Sequence, residues 1–148
     1  MIRKNTAEDT DEIVNTWYQA FSQVHPFLEE AFIEKVKKDM REIYIPNSET
    51  WVYEENNSLI GFISMLDNEI GWLFIRPDHQ STGVGTQLVD FVGKLHKVLE
   101  VEVFEKNMHG RAFYDKYGFK QIKQYTHAET NCEMLRMSTN PTISNHVV

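Results

Sequence analysis

Gln80-Ser81-Thr82-Gly83-Val84-Gly85-Thr86 lies between an apolar run ending at Ile75 and a second one beginning at Val84. Glycines at the junction of a strand and a helix let backbone N–H groups turn toward an anion, and the helix start adds partial positive charge. The spelling suits a pyrophosphate; a glycine-eased turn that binds nothing is spelled the same way. A triphosphate-binding loop ends in Gly-Lys-Ser/Thr, whereas Gly85 is followed by Thr86 and Gln87. An NTPase is therefore excluded. The dinucleotide spelling G-x-G-x-x-G is half matched, because Leu88 stands where the third glycine belongs. That fold also repeats β-α-β units, and this chain has one.

Two carboxylates can exchange protons near such a loop. Glu102 alternates with Val101 and Val103, so it points to the opposite face of their strand. Glu69 stands at the start of an apolar run. Each is a candidate base, and for Glu102 a salt-bridged carboxylate on a half-exposed sheet face is the alternative. The six histidines, at positions 25, 79, 96, 109, 127 and 146, contain no i, i+4 pair and no carboxylate-spaced pattern. No metal site is expected. His25 before Pro26 is either a polar turn or part of a substrate mouth. Cys132, the one cysteine, permits no internal disulfide and reads as a structural thiol. Trp17, Phe21 and Phe32 recur at helical spacing as core, and Lys35, Lys37 and Lys38 as a solvated face.

The elements that must position these groups follow from periodicity. Residues 2–4 read as a strand. Thr6 and Asp9 form a weak capping box before Ile13, Trp17, Phe21 and Val24. Leu28, Phe32, Val36, Met40 and Ile43 mark a second helix that Pro46 closes. Strands are expected around 51–53, 59–66 and 70–75, with Ile70, Trp72 and Phe74 sharing one face. Both faces of the last are apolar, as in a central strand. Val84 to Val98 predicts a helix of about four turns, followed by a strand over 99–103. A short helix ends at Gly118, and two strands fit 119–127 and 132–138. The order β-α-α-β-β-β-α-β-α-β-β is an α/β (α+β) domain with a mixed, mainly antiparallel sheet and about four helices. One domain is expected over 1–139, with a frayed tail at 140–148.

Composition agrees with a folded enzyme or binding module. The 148 residues are 41% hydrophobic and 25% charged, with a net charge of −7. That acidic balance argues against nucleic acid as a partner. No run approaches the roughly 20 apolar residues that span a bilayer, and the charged start is no signal peptide. A cytoplasmic protein is expected, with no membrane partner.

Asn107-Met108-His109-Gly110-Arg111-Ala112-Phe113-Tyr114-Asp115-Lys116-Tyr117-Gly118-Phe119 adds a second motif to the glycine loop. Together they resemble the GNAT superfamily of acetyl-CoA-dependent N-acetyltransferases. That family pairs a Gln/Arg-x-x-Gly-x-Gly/Ala loop with a downstream Asn…Phe/Leu-Tyr-x-x-x-Gly-Phe segment. The Trp51-Val52 strand, Glu102-Val103…Lys106-Asn107 and His25-Pro26-Phe27 are further similar to small stand-alone bacterial members of the YiaC type. The motifs cover residues 73–119. Gly110 stands where many members have Ala, which is expected to loosen the helix start.

The resemblance implies acetyl-CoA as co-substrate, lying between the strands at 69–75 and 99–105. Backbone groups of Leu73, Phe74 and Ile75 would pair with its pantetheine arm as an added strand would. Its pyrophosphate would rest on the amides of Gln80, Ser81, Thr82, Gly83, Val84, Gly85 and Thr86, and Asn107 would cap the following helix and help to hold the cofactor. Tyr114 matches the family's general acid, acting on the departing thiolate. Glu102 resembles the base of ribosomal-protein N-terminal acetyltransferases, with Glu69 the second choice and a water relay the third. Glu69 and His25 would border the acceptor. The implied acceptor is a primary amine, with protein lysine or an N-terminus favoured over a small molecule. The chain would act as a monomer or homodimer. A non-catalytic acyl-CoA-binding module of the same fold is the alternative.

Overall fold

The computed structural model describes residues 1–140. From residue 141 on, the expected frayed tail lies outside the described residues, as does His146. The elements run β1 (Ile2–Lys4), α1 (Thr10–Val24), α2 (Glu30–Asp39), β2 (Glu49–Glu55), β3 (Ser58–Leu66), β4 (Glu69–Ile75), α3 (Val84–Leu95), β5 (Glu100–Phe104), α4 (Met108–Tyr117), β6 (Lys120–His127) and β7 (Cys132–Ser138). The strands form one sheet in the order β1-β2-β3-β4-β5-β7-β6. Among the described strands only β4 and β5 run parallel.

Two apolar stripes cover the two faces. Helix α1 buries Ile13, Val14, Trp17 and Phe21 against Phe62 and Phe104. Helix α3 buries Val84, Leu88, Val89 and Val92 against Ile63, Val101 and Val103 on the other side. Each large side chain so buried contributes roughly 1.5–3 kcal/mol. β4 and β5 thus sit mid-sheet between two cores.

The second helix departs from expectation at both ends. It begins at Glu30, after Leu28, and passes at Asp39 into a π-helical turn over Met40–Tyr44. The Ile45 N–H bonds the Met40 carbonyl at 2.9 Å. At α-helical pitch Ile45 would point well away from Met40; the wider turn returns both to the core. Ile43, expected on the buried face, is 48% exposed as a result. Helix α3 stops at Leu95, short of Val98, because His96 turns extended (φ −132°, ψ 129°) to lead into β5.

β4 carries the largest correction. Ser64 of β3 faces Trp72, but Met65 faces Ile70, so Gly71 is an extra residue on β4. This bulge rephases the strand. Ile70 packs with the α3-side core, while Trp72 and Phe74 join the α1-side core. The three therefore do not share a face. Beyond the bulge β4 also parts from β5, since only Glu69↔Glu100 and Ile70↔Val101 are paired.

Candidate active site

The parting of β4 and β5 opens a cavity of 1360 Å³ that passes between the two strands. Gln80, Gly83, Gly85, Asn107 and Tyr114 line it on one side of the sheet. His25, Glu69, Trp72 and Glu102 line it on the other. Leu73, Phe74, Ile75, Ser81 and Thr86 also border it. Thr82 and Val84 do not. The Thr82 hydroxyl donates to the His79 carbonyl at 2.5 Å, and the Val84 side chain is core. Backbone amides are all these two can offer an anion.

The glycine loop is built for a close approach. Gly83 has φ +89°, a left-handed conformation that L side chains rarely adopt, and it is the residue immediately before α3. A Cβ at Gly83 would meet nothing within 4 Å, so its outer side is open. Gly85 lets α3 lie against α4, because a Cβ there would stand 3.3 Å from Phe113 Cε1. Gln80 turns inward and its Nε2 donates to the Ile75 carbonyl (3.2 Å), tying the loop to the end of β4. Among the described residues, the β5-facing edge of β4 has no strand partner from Gly71 to Ile75. That edge and the helix start fit an extended arm ending in phosphates.

Asn107 caps α4, its Oδ1 accepting from the Gly110 N–H at 2.9 Å. The expected loosening at Gly110 is not found. A Cβ on Gly110 would stand 2.6 Å from Asn107 Nδ2, so the missing side chain lets Asn107 fold closely over the helix start. Tyr114 follows one turn later and is 6% exposed. Its ring packs edge-on against Phe113 and Phe119. Burial pushes its pKa well above the usual phenol range, so the hydroxyl keeps its proton at working pH.

The opposite side is acidic at its base. Arg136 of β7 stands directly across from Glu102 of β5. Its Nε and Nη2 meet Glu100 Oε1 at 2.8 and 2.7 Å, Nη2 meets Glu69 at 3.2 Å, and Nη1 meets Glu102 at 3.5 Å. The Tyr125 hydroxyl donates to Glu102 Oε1 at 2.9 Å; burial and this carboxylate push the phenol up to about 12. Burial raises the Glu69 carboxyl above its ordinary range, against the pull of Arg136. Sequence reasoning missed Arg136 and Tyr125. The signal for Arg136 was present: a lone cation among Met134, Leu135 and Met137, like Glu102 among its valines.

His25 is no polar turn. Its ring is 3% exposed, stacks on Phe21 at 4.0 Å and meets Phe27 and Phe104 edge-on. Nδ1 donates to the Phe21 carbonyl at 2.9 Å. Burial lowers its pKa to about 4. The unfolded chain, with His near 6.5, therefore binds more protons than the folded one between those values. The stability held by the neutral ring is complete above pH ~6.5 and is lost as pH falls toward about 4, at about 1.4 kcal/mol per pH unit. His25→Phe keeps the stacking and removes this titration. Its stability relative to wild type should rise by about 2 kcal/mol between pH 7 and pH 5 in urea melts. A gap that is the same at both pH values would show that His25 titrates normally.

Among the described residues no three His, Cys, Asp or Glu side chains group as metal ligands would. No described helix is long and apolar enough to cross a membrane.

Comparison with known proteins bears on this site. Residues 7–140 match the model of the acetyltransferase (GNAT) domain. The chain is 29% identical over 120 residues to the peptidyl-lysine N-acetyltransferase YiaC of Escherichia coli K12, covering 80% of this chain and 82% of that one. It is 30% identical, again over 120 residues, to the peptidyl-lysine N-acetyltransferase YjaB of the same organism, covering 80% and 81%. The solution structure of apo-form YjaB from Escherichia coli superposes with a TM-score of 0.85 at 26% identity, covering 94% of this chain and 96% of that one.

Proposed function

Because the chain belongs to the GNAT acetyltransferase family, we propose that it acetylates the side-chain amine of protein lysines, with Tyr114 as general acid and Glu102 as general base. The family uses acetyl-CoA, whose thioester supplies the activated acetyl group. The observation that carries the reading is the parting of β4 and β5, which gives Tyr114 and the carboxylates access to one cavity from opposite faces. An acyl group held in that opening is reached by an acid from one side and an amine from the other.

The residues divide the proton work. A lysine ammonium with a pKa near ~10.4 must lose a proton before its nitrogen forms the new C–N bond. Glu102 takes that proton, directly or through water. As the C–S bond breaks, the Tyr114 hydroxyl gives its proton to the sulfur, and the second proton shed by the nitrogen returns through water to the phenolate. Leu73 and Phe74 offer backbone groups to the pantetheine arm, and the amides from Gly83 to Thr86 hold the pyrophosphate.

The acceptor end supports lysine in particular. Phe21, Tyr44, Trp72 and Phe74 give its wall an aromatic surface, with Glu69 and Glu102 among its lining. Such a wall suits four methylenes and the carboxylates suit an ammonium. The relatives YiaC and YjaB are peptidyl-lysine enzymes. Thiol release should be measured with a lysine peptide blocked at its N-terminus, a lysine-free peptide with a free N-terminus, and small amines. A kcat/KM at least about tenfold higher for the lysine peptide is expected. Equal or better use of the others would refute lysine as the acceptor, and thiol release with none of them would favour an acyl-CoA-binding module.

A further inference from the structure

Three carboxylates meet one guanidinium where β4 and β5 part, and the four contacts are unequal. Glu100, fully buried, receives both Nε and Nη2 at 2.8 and 2.7 Å. Glu69 and Glu102, which line the cavity, receive one contact each, at 3.2 and 3.5 Å. The register makes this arrangement. Glu69 and Glu100 are the last side-by-side pair on this face before the strands diverge, and Arg136 faces Glu102 across β5 and β7.

We propose that Arg136 is a positioning residue for amine transfer: it spends its fork on Glu100 and leaves Glu69 and Glu102 held but under-neutralised, so that this pair receives the acceptor ammonium and its proton. The inference rests on the amine-transfer reading above. Among the described ion pairs, one guanidinium is shared by these three carboxylates, which leaves negative charge beside the path of the incoming amine. A guanidinium is suited to this because it stays charged and presents several donors in one plane.

Other charged groups around this pair do not replace it. Across the sheet, Lys123 of β6 pairs in register with Arg136 but is exposed, its Nζ 5.4 Å from the Tyr125 ring centre. Tyr125 gives Glu102 a neutral hydrogen bond. From the helices, Lys35 and Asp39 of α2 border the cavity, and Lys35 is paired with Glu129 at 2.8 Å. His25, neutral above about pH 4, and His127 flank Phe104.

Two substitutions should move the reaction in opposite directions. Arg136→Lys keeps one charge but loses the fork, so the ammonium stays with Glu100 and the other two carboxylates lose their cation. With that cation gone the charged form of the pair is less favoured, and the ascending limb of kcat/KM against pH should move up by about one unit. Glu100→Gln keeps an oxygen for Arg136 but removes the competing charge. The guanidinium then serves Glu69 and Glu102, and the limb should move down by about half a unit. Profiles are taken with saturating acetyl-CoA and whichever amine the wild type uses best, so that a wrong acceptor class leaves the comparison intact. Glutamate carboxyl ¹³C resonances are titrated in parallel, a readout that needs no turnover. Opposed shifts in both measurements support the proposal. Limbs that coincide with wild type, even with the rate lowered evenly at every pH, would make Arg136 a brace between strands and overturn it. Carboxyl resonances that move while the limbs stay still would overturn it as well, by detaching the charge division from the reaction.

Discussion

Tyr114→Phe is expected to lower kcat by about 10²-fold while leaving acetyl-CoA affinity within about twofold. The two halves have separate physical sources. The ring packs edge-on between Phe113 and Phe119, and those contacts use carbon atoms that Phe retains. The hydroxyl has no hydrogen-bond partner among the described residues, and burial keeps it protonated. It is thus an available donor in the opening between β4 and β5, and removing it costs no existing bond. Under the proposed role, the departing sulfur then leaves as an unassisted thiolate or borrows a proton from water. A positioned acid contributes typically ~10²–10⁴-fold, and water recovers part of that, hence the lower end. Because the loss is confined to the transition state, kcat and kcat/KM should fall together. Single-turnover measurement ensures that chemistry is observed. An unchanged rate there would remove Tyr114 from the mechanism, and a fall in affinity with kcat intact would make it a binding residue.

Legibility in the sequence followed the range over which each signal acts. Helix α4 was readable to its ends because Asn107 and Gly118 are local caps with local consequences. The same holds for Gly83, whose positive φ depends on its own backbone. Element order was readable for a similar reason: each change of period is written in neighbouring residues. What escaped were features created by pairing. The extra residue at Gly71 exists only relative to β3, since a single strand has no register to be out of. The apolar alternation across 70–75 therefore looked unbroken. The π-helical turn at Met40–Tyr44 likewise follows from where the core needs Ile45. Arg136 lies 34 positions from Glu102 in sequence and directly opposite it in the sheet. Glu102 could thus be nominated from its own strand, but the cation that sets its surroundings could not.

Gly83→Asp should weaken acetyl-CoA binding by about 10²-fold, and comparison with Gly83→Asn separates the causes. Any side chain at φ +89° carries backbone strain of roughly 1–2 kcal/mol, less for Asn and Asp, which visit this region more readily than other residues. That strain should lower Tm similarly in both variants. Sterically the protein makes no objection, because nothing lies within 4 Å of a Cβ there. The new side chain enters open space at the start of α3, where the proposed pyrophosphate rests. Asn brings bulk and dipoles to that spot, and Asp adds a full negative charge. A carboxylate about 4 Å from another unit negative charge is repelled by ~4 kcal/mol at an effective dielectric constant near 20, and solvent at this open loop reduces that to roughly 2–3 kcal/mol. Asp should therefore bind about 30-fold more weakly than Asn, the rest of its loss being the few-fold that both share. The gap should narrow when ionic strength rises from 0.15 to 0.5 M, since the Debye length falls below the ~8 Å of physiological salt. Acetyl-CoA should raise the wild-type Tm by mass action and raise that of the Asp variant far less. Calorimetry giving both variants the wild-type affinity at low salt would move the pyrophosphate away from this loop. An equal loss in both variants would instead assign the loop a steric role, with its glycines keeping space clear for a ligand whose charge is met elsewhere.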